Sequence, residues 1–233
     1  MKKRTGKPSL KAKMRATYLA RVGQIPPAAR DALSSMVMAR LETLDEYASA
    51  NSVLFYWPLA SLGEIDFTSS IRAALKAGKA VCLPRVDWKT GLMTARRVRS
   101  FSRDLETDSA HPRFRLCQPV AAAEPVPASR IDLVIVPGVA FDRAGGRLGR
   151  GAGYYDRLLF GLPNDRPIRV ALAFDEQLSR KVPTEPHDQP VHIILTPSAT
   201  IRVKPARRKL APKARSGRNS RQAPSATRAR PKR

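Results

Sequence analysis

The residues best suited to chemistry form a glycine-rich stretch at positions 146–157. Three glycines at alternate positions leave the backbone open to close approach by a ligand. Arg147 and Arg150 carry forked donors that match phosphate oxygens. Asp156 adds a carboxylate beside them, where a divalent metal that bridges to phosphate needs a ligand. These residue types therefore favour an anion site with a metal ligand at its side.

The segments on either side predict where this stretch lies in the fold. Residues 131–136 form a short, nearly continuous apolar run, which is typical of a strand buried on both faces. Residues 154–160 have helical spacing, so the glycines lie between a strand end and a helix start, where unpaired N–H groups favour an anion. The glycine spacing matches neither the Walker pattern nor the dinucleotide fingerprint. From the spacing alone, a phosphate site and a structural loop both remain open.

The string from Pro137 to Asp156 resembles the signature of the 5-formyltetrahydrofolate cyclo-ligases, also called methenyltetrahydrofolate synthetases. That family carries a Pro-Gly-x-x-Phe-Asp motif followed by Arg-Leu-Gly-x-Gly-x-Gly-Tyr-Tyr-Asp, and both parts are present. The resemblance implies that Asp156 holds Mg²⁺ and that the stretch binds ATP. The implied ATP contacts here are Arg147, Leu148, Gly149, Arg150, Gly151, Ala152, Gly153, Tyr154 and Tyr155.

A basic helix is predicted over residues 10–22, because apolar residues recur there at every fourth position. Lys11 and Arg15 are four residues apart and share one face. On spacing alone, this is a solvated basic face. The family begins with a Lys-x-x-Leu/Met-Arg helix that reaches the ATP phosphates, and the resemblance therefore implies that role for Lys11 and Arg15.

A folate contact is implied after the first predicted strand, which covers residues 53–57. Acids near a helix start, such as Glu64, commonly only complement the helix dipole. The resemblance implies instead that Glu64 holds the folate, since an ionised carboxylate accepts two N–H groups of a pterin edge. Trp57 could supply an aromatic wall for the ring, with ordinary core packing as the alternative.

A second magnesium ligand is implied near the C-terminus. A Val-Pro-x-x-x-x-Asp pattern at residues 182–188 places Asp188 where the family has an acid that joins the helix carboxylate in holding Mg²⁺. His192 stands where the family more often has an Asp. We assign no metal role to His187 or His192, because two histidines without further ligands make a poor metal signature.

Alternating strand and helix patterns predict an α/β fold, a Rossmann-like three-layer sandwich with a mainly parallel central sheet and a nucleotide site at the strand C-terminal ends. Residues 101–130 are rich in Pro and charge and are expected to wind over the surface. Further helices are predicted at 28–47 and 69–76, and further strands at 79–84, 92–98, 168–174 and 191–196.

The charge of the chain is strongly uneven. The 233 residues carry 43 Lys and Arg against 19 Asp and Glu, which is a formal net charge of +24. Residues 201–233 hold 13 of the basic residues and no acidic residue, so residues 1–200 carry +11. We therefore expect a flexible basic N-terminus at 1–9, a cyclo-ligase domain at 10–200 and a disordered basic tail at 201–233.

Several classes of protein are disfavoured by composition. Cys82 and Cys117 form no metal or disulfide pattern, which favours small buried thiols in a reducing compartment. No apolar run approaches the length of a membrane span, and the basic N-terminus lacks the apolar core of a secretory signal. We expect a cytoplasmic monomer that does not bind membranes.

The resemblance implies ATP-dependent closure of 5-formyltetrahydrofolate to 5,10-methenyltetrahydrofolate, with release of ADP and phosphate. In the family's scheme, the formyl oxygen attacks the γ-phosphorus and N10 then attacks the activated carbon, so no residue serves as a covalent nucleophile. Two alternatives remain open. One is a protein that binds RNA or DNA through residues 201–233, and the other is a paralogue that binds nucleotide without ring closure.

Overall fold

The computed structural model describes residues 8–108 and 116–204. The predictions for residues 1–7 and for the tail from residue 205 lie outside these ranges. The helices are α1 (Leu10–Gly23), α2 (Pro27–Glu42), α3 (Asp45–Ala48), α4 (Thr68–Lys76), α5 (Phe101–Asp104) and α6 (Tyr154–Leu159). The strands are β1 (Ser52–Leu54), β2 (Ala80–Asp87), β3 (Leu92–Arg97), β4 (Leu105–Asp108), β5 (Leu116–Pro119), β6 (Pro125–Val126), β7 (Leu133–Ile135), β8 (Ala140–Asp142), β9 (Arg147–Leu148), β10 (Ile168–Leu172), β11 (Leu178–Ser179), β12 (Ile193–Leu195) and β13 (Thr200–Arg202).

An eight-stranded sheet with the order β13-β12-β10-β7-β1-β2-β3-β6 forms the centre of the molecule. Its five middle strands, from β12 to β2, are parallel, and β13, β3 and β6 are antiparallel. Every residue of β1, β7 and β12 is buried. Strands covered on both faces need apolar side chains on both faces, which accounts for their continuous apolar runs. The predicted α/β fold with a mainly parallel sheet is confirmed.

The parallel strands bring the predicted site segments to one edge. In a parallel sheet, all the loops that leave the strand C-termini emerge at the same edge. The segment with Trp57 and Glu64 follows β1, and the glycine-rich stretch follows β7. Asp188 lies in the connection between β10 and β12.

A small sheet of β11, β8 and β9 holds the start of the glycine-rich stretch. The buried carboxylate of Asp142 fixes the turn between β8 and β9. Its Oδ1 accepts the N–H groups of Ala144 and Gly146 at 2.9 Å each, and its Oδ2 accepts the N–H of Val182 at 2.7 Å. A Cβ at Gly146 would lie 2.5 Å from Asp142 Oδ2. These contacts account for the Asp of the motif and for the glycine at position 146.

The first helix packs on a separate apolar cluster. Tyr18 of α1 joins Val139, Ala140, Leu148 and Val182 in this cluster. Val22, one turn further along, belongs instead to the main core. The two ends of α1 are therefore anchored in different parts of the protein.

Two predicted elements differ from the structure. The helix predicted at 28–47 is divided into α2 and α3, because Leu44 is buried with an extended backbone between them. Residues 101–130, expected to wind over the surface, contain strands that the sequence did not predict, since β4 pairs with β5 and β6 pairs with β3. The sequence pattern did not indicate these strands, because they are short and contain Pro119 and Pro125, and proline usually argues against a strand.

The predicted boundary after residue 200 falls inside β13. This strand pairs with β12, its Ile201 is buried, and Arg202 forms an ion pair with Glu46 of α3. A three-residue strand with one apolar side chain gives little periodicity, so the sequence pattern did not reveal it. The folded domain therefore extends past residue 200 to include this edge strand.

None of the helices in residues 8–108 and 116–204 is both long enough and apolar enough to cross a membrane.

Candidate active site

One cavity of about 1090 Å³ opens at the C-terminal edge of the parallel strands. A smaller depression between α2 and α4, of about 400 Å³, contains none of the predicted site residues. All fifteen of those residues line the large cavity: Lys11, Arg15, Trp57, Glu64, Arg147, Leu148, Gly149, Arg150, Gly151, Ala152, Gly153, Tyr154, Tyr155, Asp156 and Asp188. Segments far apart in the sequence therefore meet at a single place.

Arg147 is buried in the wall of the cavity, with 5% of its side chain exposed. Its Nη1 donates to the carbonyl of Pro137 at 3.1 Å, and its Nη2 donates to Asp156 Oδ1 at 2.5 Å. A Cβ at Gly149 would lie 3.1 Å from Nη1, which explains why the chain needs a small residue there. Arg147 thus holds the carboxylate of Asp156 in α6 and the carbonyl of Pro137 in place, in addition to lining the cavity.

The basic face of α1 meets the glycine-rich stretch. Ser9 caps the helix by accepting the backbone N–H of Ala12 at 3.2 Å. Arg15 Nε donates to the carbonyl of Gly149 at 2.7 Å. Gly151 has a φ of +109°, and a Cβ there would lie 3.5 Å from the Arg15 guanidinium. The positive φ favours glycine at position 151, since a Cβ there would make only an ordinary contact with Arg15.

Lys11 bonds to the second predicted metal ligand. Its Nζ donates to Asp188 Oδ2 at 2.8 Å and lies 3.0 Å from Glu185 Oε1. Partial burial lowers the pKa of Lys11, but the bonds to Asp188 and Glu185 outweigh it and leave the pKa above its ordinary value. Burial raises the pKa of Asp188, but the hydrogen bonds from Lys11 and from the N–H of Glu185, together with the nearby positive charge, outweigh it and leave the pKa lowered. Asp188 is therefore held as an anion at neutral pH.

The two predicted metal ligands are neighbours. Asp156 Oδ1 accepts the backbone N–H of Gln189, the residue after Asp188, at 2.9 Å. The described ranges hold no group of three or more His, Cys, Asp and Glu placed to ligate a metal. Magnesium commonly takes only one or two protein carboxylates and completes its shell with phosphate oxygens and water. The pair of carboxylates beside a phosphate-type loop fits that donor set.

The predicted folate residues also line the cavity. Glu64 Oε1 accepts both Nη2 and Nε of Arg150, at 2.8 and 3.2 Å, and Oε2 accepts the N–H of Leu59 at 2.9 Å. Trp57 lines the cavity and also packs edge-on against Phe101, with ring centroids 5.5 Å apart. Trp57 therefore lies in the cavity wall and also packs against the core, and its contact with the folate ring stays a prediction.

Several cavity residues were missed by the sequence analysis. Trp88 meets the ring of Tyr154 edge-on at 6.5 Å and donates to Asp108 at 2.7 Å. Gln118 also donates to Asp108, at 2.6 Å, and its oxygen accepts the N–H of Val86 at 3.1 Å. Trp88 gave a weak signal as a large aromatic residue just after a strand, whereas Gln118 gave none.

Tyr155 has a hydroxyl that is buried without a hydrogen-bond partner among the described residues. Burial is the main cause that raises its pKa, followed by the charge of Glu64. The hydroxyl is therefore neutral and able to donate a hydrogen bond.

His192 lies outside the cavity and connects two segments. Its Nδ1 accepts the N–H of Arg169 at 2.9 Å, so Nε2 carries the proton that is shared with the carbonyl of Asn164 at 2.6 Å. The Arg169 side chain is fully buried and bonds to carbonyls of Pro163 and Pro190. Burial and then the Arg169 charge lower the pKa of His192, against smaller opposing effects of Asn164 and Asp165.

A parallel α/β sheet whose edge joins a cationic helix, a glycine-rich loop and two neighbouring carboxylates has the arrangement of an enzyme that uses nucleoside phosphates. A sequence model of the 5-formyltetrahydrofolate cyclo-ligase family matches residues 7–197. The chain belongs to this family.

Curated relatives and solved structures agree with that family. The chain is 30% identical to 5-formyltetrahydrofolate cyclo-ligase of Escherichia coli (strain K12), over 75% of this chain and 93% of that protein. It is 27% identical to the mouse enzyme of the same name, over 80% of this chain and 93% of that protein. The NMR structure of 5,10-methenyltetrahydrofolate synthetase from Aquifex aeolicus superposes with a TM-score of 0.73 at 31% identity, covering 85% of this chain and 95% of that one.

Proposed function

We propose that the protein closes 5-formyltetrahydrofolate to 5,10-methenyltetrahydrofolate with ATP, releasing ADP and phosphate. The observation that carries the proposal is the meeting of α1, the Glu64 segment, the glycine-rich stretch and Asp188 in one cavity. These segments are separated by up to 177 positions in the sequence, and each matches a motif of the family to which the chain belongs.

The chemical difficulty lies in the formyl group, because an amide oxygen is a poor leaving group. Attack of this oxygen on the γ-phosphorus forms an imidate-like phosphate and releases ADP. N10 then attacks the formyl carbon, and the C–O bond breaks as inorganic phosphate leaves. The protein contributes positioning and charge neutralisation, as is general in phosphoryl transfer.

The charged residues predicted for the site each have a task in this scheme. Lys11, Arg15 and Arg150 hold the phosphates from two sides, while Arg147 keeps the loop and Asp156 in place. Glu64 orients the folate by accepting N–H groups of the pterin edge. Magnesium, when bound by Asp156 and Asp188, offsets the phosphate charge.

The test is the absorbance of methenyltetrahydrofolate formed by the purified protein from 5-formyltetrahydrofolate, ATP and magnesium. Asp188→Asn is the matched control, because it keeps the shape of the side chain but removes one charge from the hard-cation site. We expect formation of the product by the wild type and a reduced response to magnesium in the variant. A wild type that binds ATP yet forms no product identifies a nucleotide-binding paralogue and contradicts the proposal.

A further inference from the structure

Glu64 and Arg150 are bonded to each other across the cavity, although each is assigned to a different substrate. Nε and Nη2 of Arg150 both donate to Oε1 of Glu64, and Oε2 accepts the N–H of Leu59. The side chain of Glu64 is 12% exposed and that of Arg150 is 33% exposed. The carboxylate is therefore the fixed partner of the pair, and the guanidinium at the cavity surface is the movable one.

A ligand on either residue must compete with this pair. Pterin N–H groups need the lone pairs of Glu64 Oε1 that Arg150 uses, and a phosphate that binds the Nε/Nη2 edge of Arg150 bidentately needs the same N–H groups that Glu64 accepts. Separating the pair leaves a mostly buried carboxylate without its cation, which is unfavourable because desolvation penalises an unpaired charge. Whichever substrate binds first meets this cost, and the second substrate does not.

We propose that exchange of the Glu64–Arg150 pair couples the two substrates, so that each one tightens the binding of the other. This inference rests on the proposed function and concerns the same site. Phosphate that draws Arg150 away leaves Glu64 free to accept from folate, and folate that occupies Glu64 frees Arg150 for phosphate. We call the coupling factor the ratio by which one bound substrate lowers the Kd of the other. Linkage requires this factor to be the same whichever substrate binds first. The protein therefore favours the ternary complex over either binary complex.

Isothermal titration calorimetry on the full chain measures this coupling. The probes are 5-formyltetrahydrofolate and the magnesium complex of the β,γ-imido analogue of ATP, which keeps three phosphates but cannot transfer one. We expect the Kd of each probe to fall by about ten-fold when the other is saturating, which is within the usual range of allosteric coupling.

Two neutral variants separate coupling from simple loss of a contact. Glu64→Gln should weaken folate binding but tighten binding of the nucleotide analogue alone, since Arg150 is no longer held by a carboxylate. Arg150→Gln should do the reverse, weakening the nucleotide analogue and tightening folate alone. In both variants the coupling factor should fall below about two. A merely structural role for the pair predicts no variant that binds either probe more tightly.

Glu124→Gln is the matched control, because it removes a carboxylate that pairs with Arg99 at 2.7 Å outside the cavity. It should leave both affinities and the coupling factor at their wild-type values. Independent binding of the two probes by the wild type overturns the coupling and leaves the proposed function standing. So does a pair of neutral variants in which neither single-probe affinity increases. Failure of the wild type to bind either probe overturns the proposed function, and the coupling with it.

Discussion

Asp142 offers a direct test of how the glycine-rich stretch is held. The residue is 5% exposed, and its two carboxylate oxygens accept three backbone N–H groups, from Ala144, Gly146 and Val182. Asp142→Asn keeps the shape of the side chain but converts one acceptor oxygen into an NH₂ group. In either amide orientation, at least one buried backbone N–H then faces another donor.

The expected loss follows from the contacts. A hydrogen bond to a charged group contributes about 1.5–3 kcal/mol, and at least one is lost. In a protein of this size each kcal/mol shifts Tm by about 2–4 °C, so Asp142→Asn should lower Tm by about 3–12 °C.

The assay is thermal unfolding of both proteins followed by circular dichroism at neutral pH. The matched control is Asp87→Asn, in which the exposed carboxylate accepts the N–H groups of Lys89 and Thr90 at 2.8 and 3.4 Å. The decrease in Tm of Asp87→Asn should be clearly smaller, because solvent can replace an exposed hydrogen bond. A shift for Asp142→Asn no larger than that of the control would refute the role assigned to the buried carboxylate.

Three further outcomes can be measured. Lys11→Ala should lower kcat/KM for ATP by roughly ten- to a hundred-fold, as expected for loss of one charged contact of about 1.5–3 kcal/mol; an unchanged value would contradict the phosphate assignment. Because the pKa of His192 is lowered in the folded state, its contribution to stability is complete above the unfolded value of 6.5 and is lost as pH falls below it. His192→Asn, which keeps an acceptor for the N–H of Arg169, should flatten that part of a pH–Tm profile, and an unaltered slope would contradict the assignment. Removal of residues 205–233, leaving the chain ending at Lys204, should preserve turnover while sharply weakening salt-dependent binding to RNA or DNA; retained binding would place the basic contact surface on the folded domain.

The predicted site residues line one cavity, and most of them lie in short, dense motifs. Nine of the predicted ATP contacts are consecutive, at residues 147–155, and they directly precede Asp156. The strand before them was recognisable from its apolar run, which the parallel sheet makes necessary. Local patterns of this kind can be recognised in a single sequence.

Pairings between distant residues could not be derived in the same way. Lys11 and Asp188 are 177 positions apart, and Glu64 and Arg150 are 86 apart. Nothing in their local spacing shows that a predicted phosphate contact bonds to a predicted metal or folate ligand. The hairpin of β4 and β5 failed to appear for a different reason, since its strands are short and bear charged and proline residues.

The divided anchoring of α1 has a consequence for local opening. Lys11 and Arg15 lie in the part of the helix that rests on the small Tyr18 cluster, whereas Val22 belongs to the main core. The first turns can therefore detach by giving up the small cluster and the polar bonds of Lys11 and Arg15 while the main core stays intact, at a free energy below that of global unfolding. The amide hydrogens in the first turns of α1 should exchange with solvent by such partial opening. Those of the central strands should exchange only by complete unfolding. In the proposed function Lys11 and Arg15 hold a phosphate, which ties these first turns to the glycine-rich stretch. Nucleotide binding should therefore slow amide exchange at the start of α1 more than in the central strands.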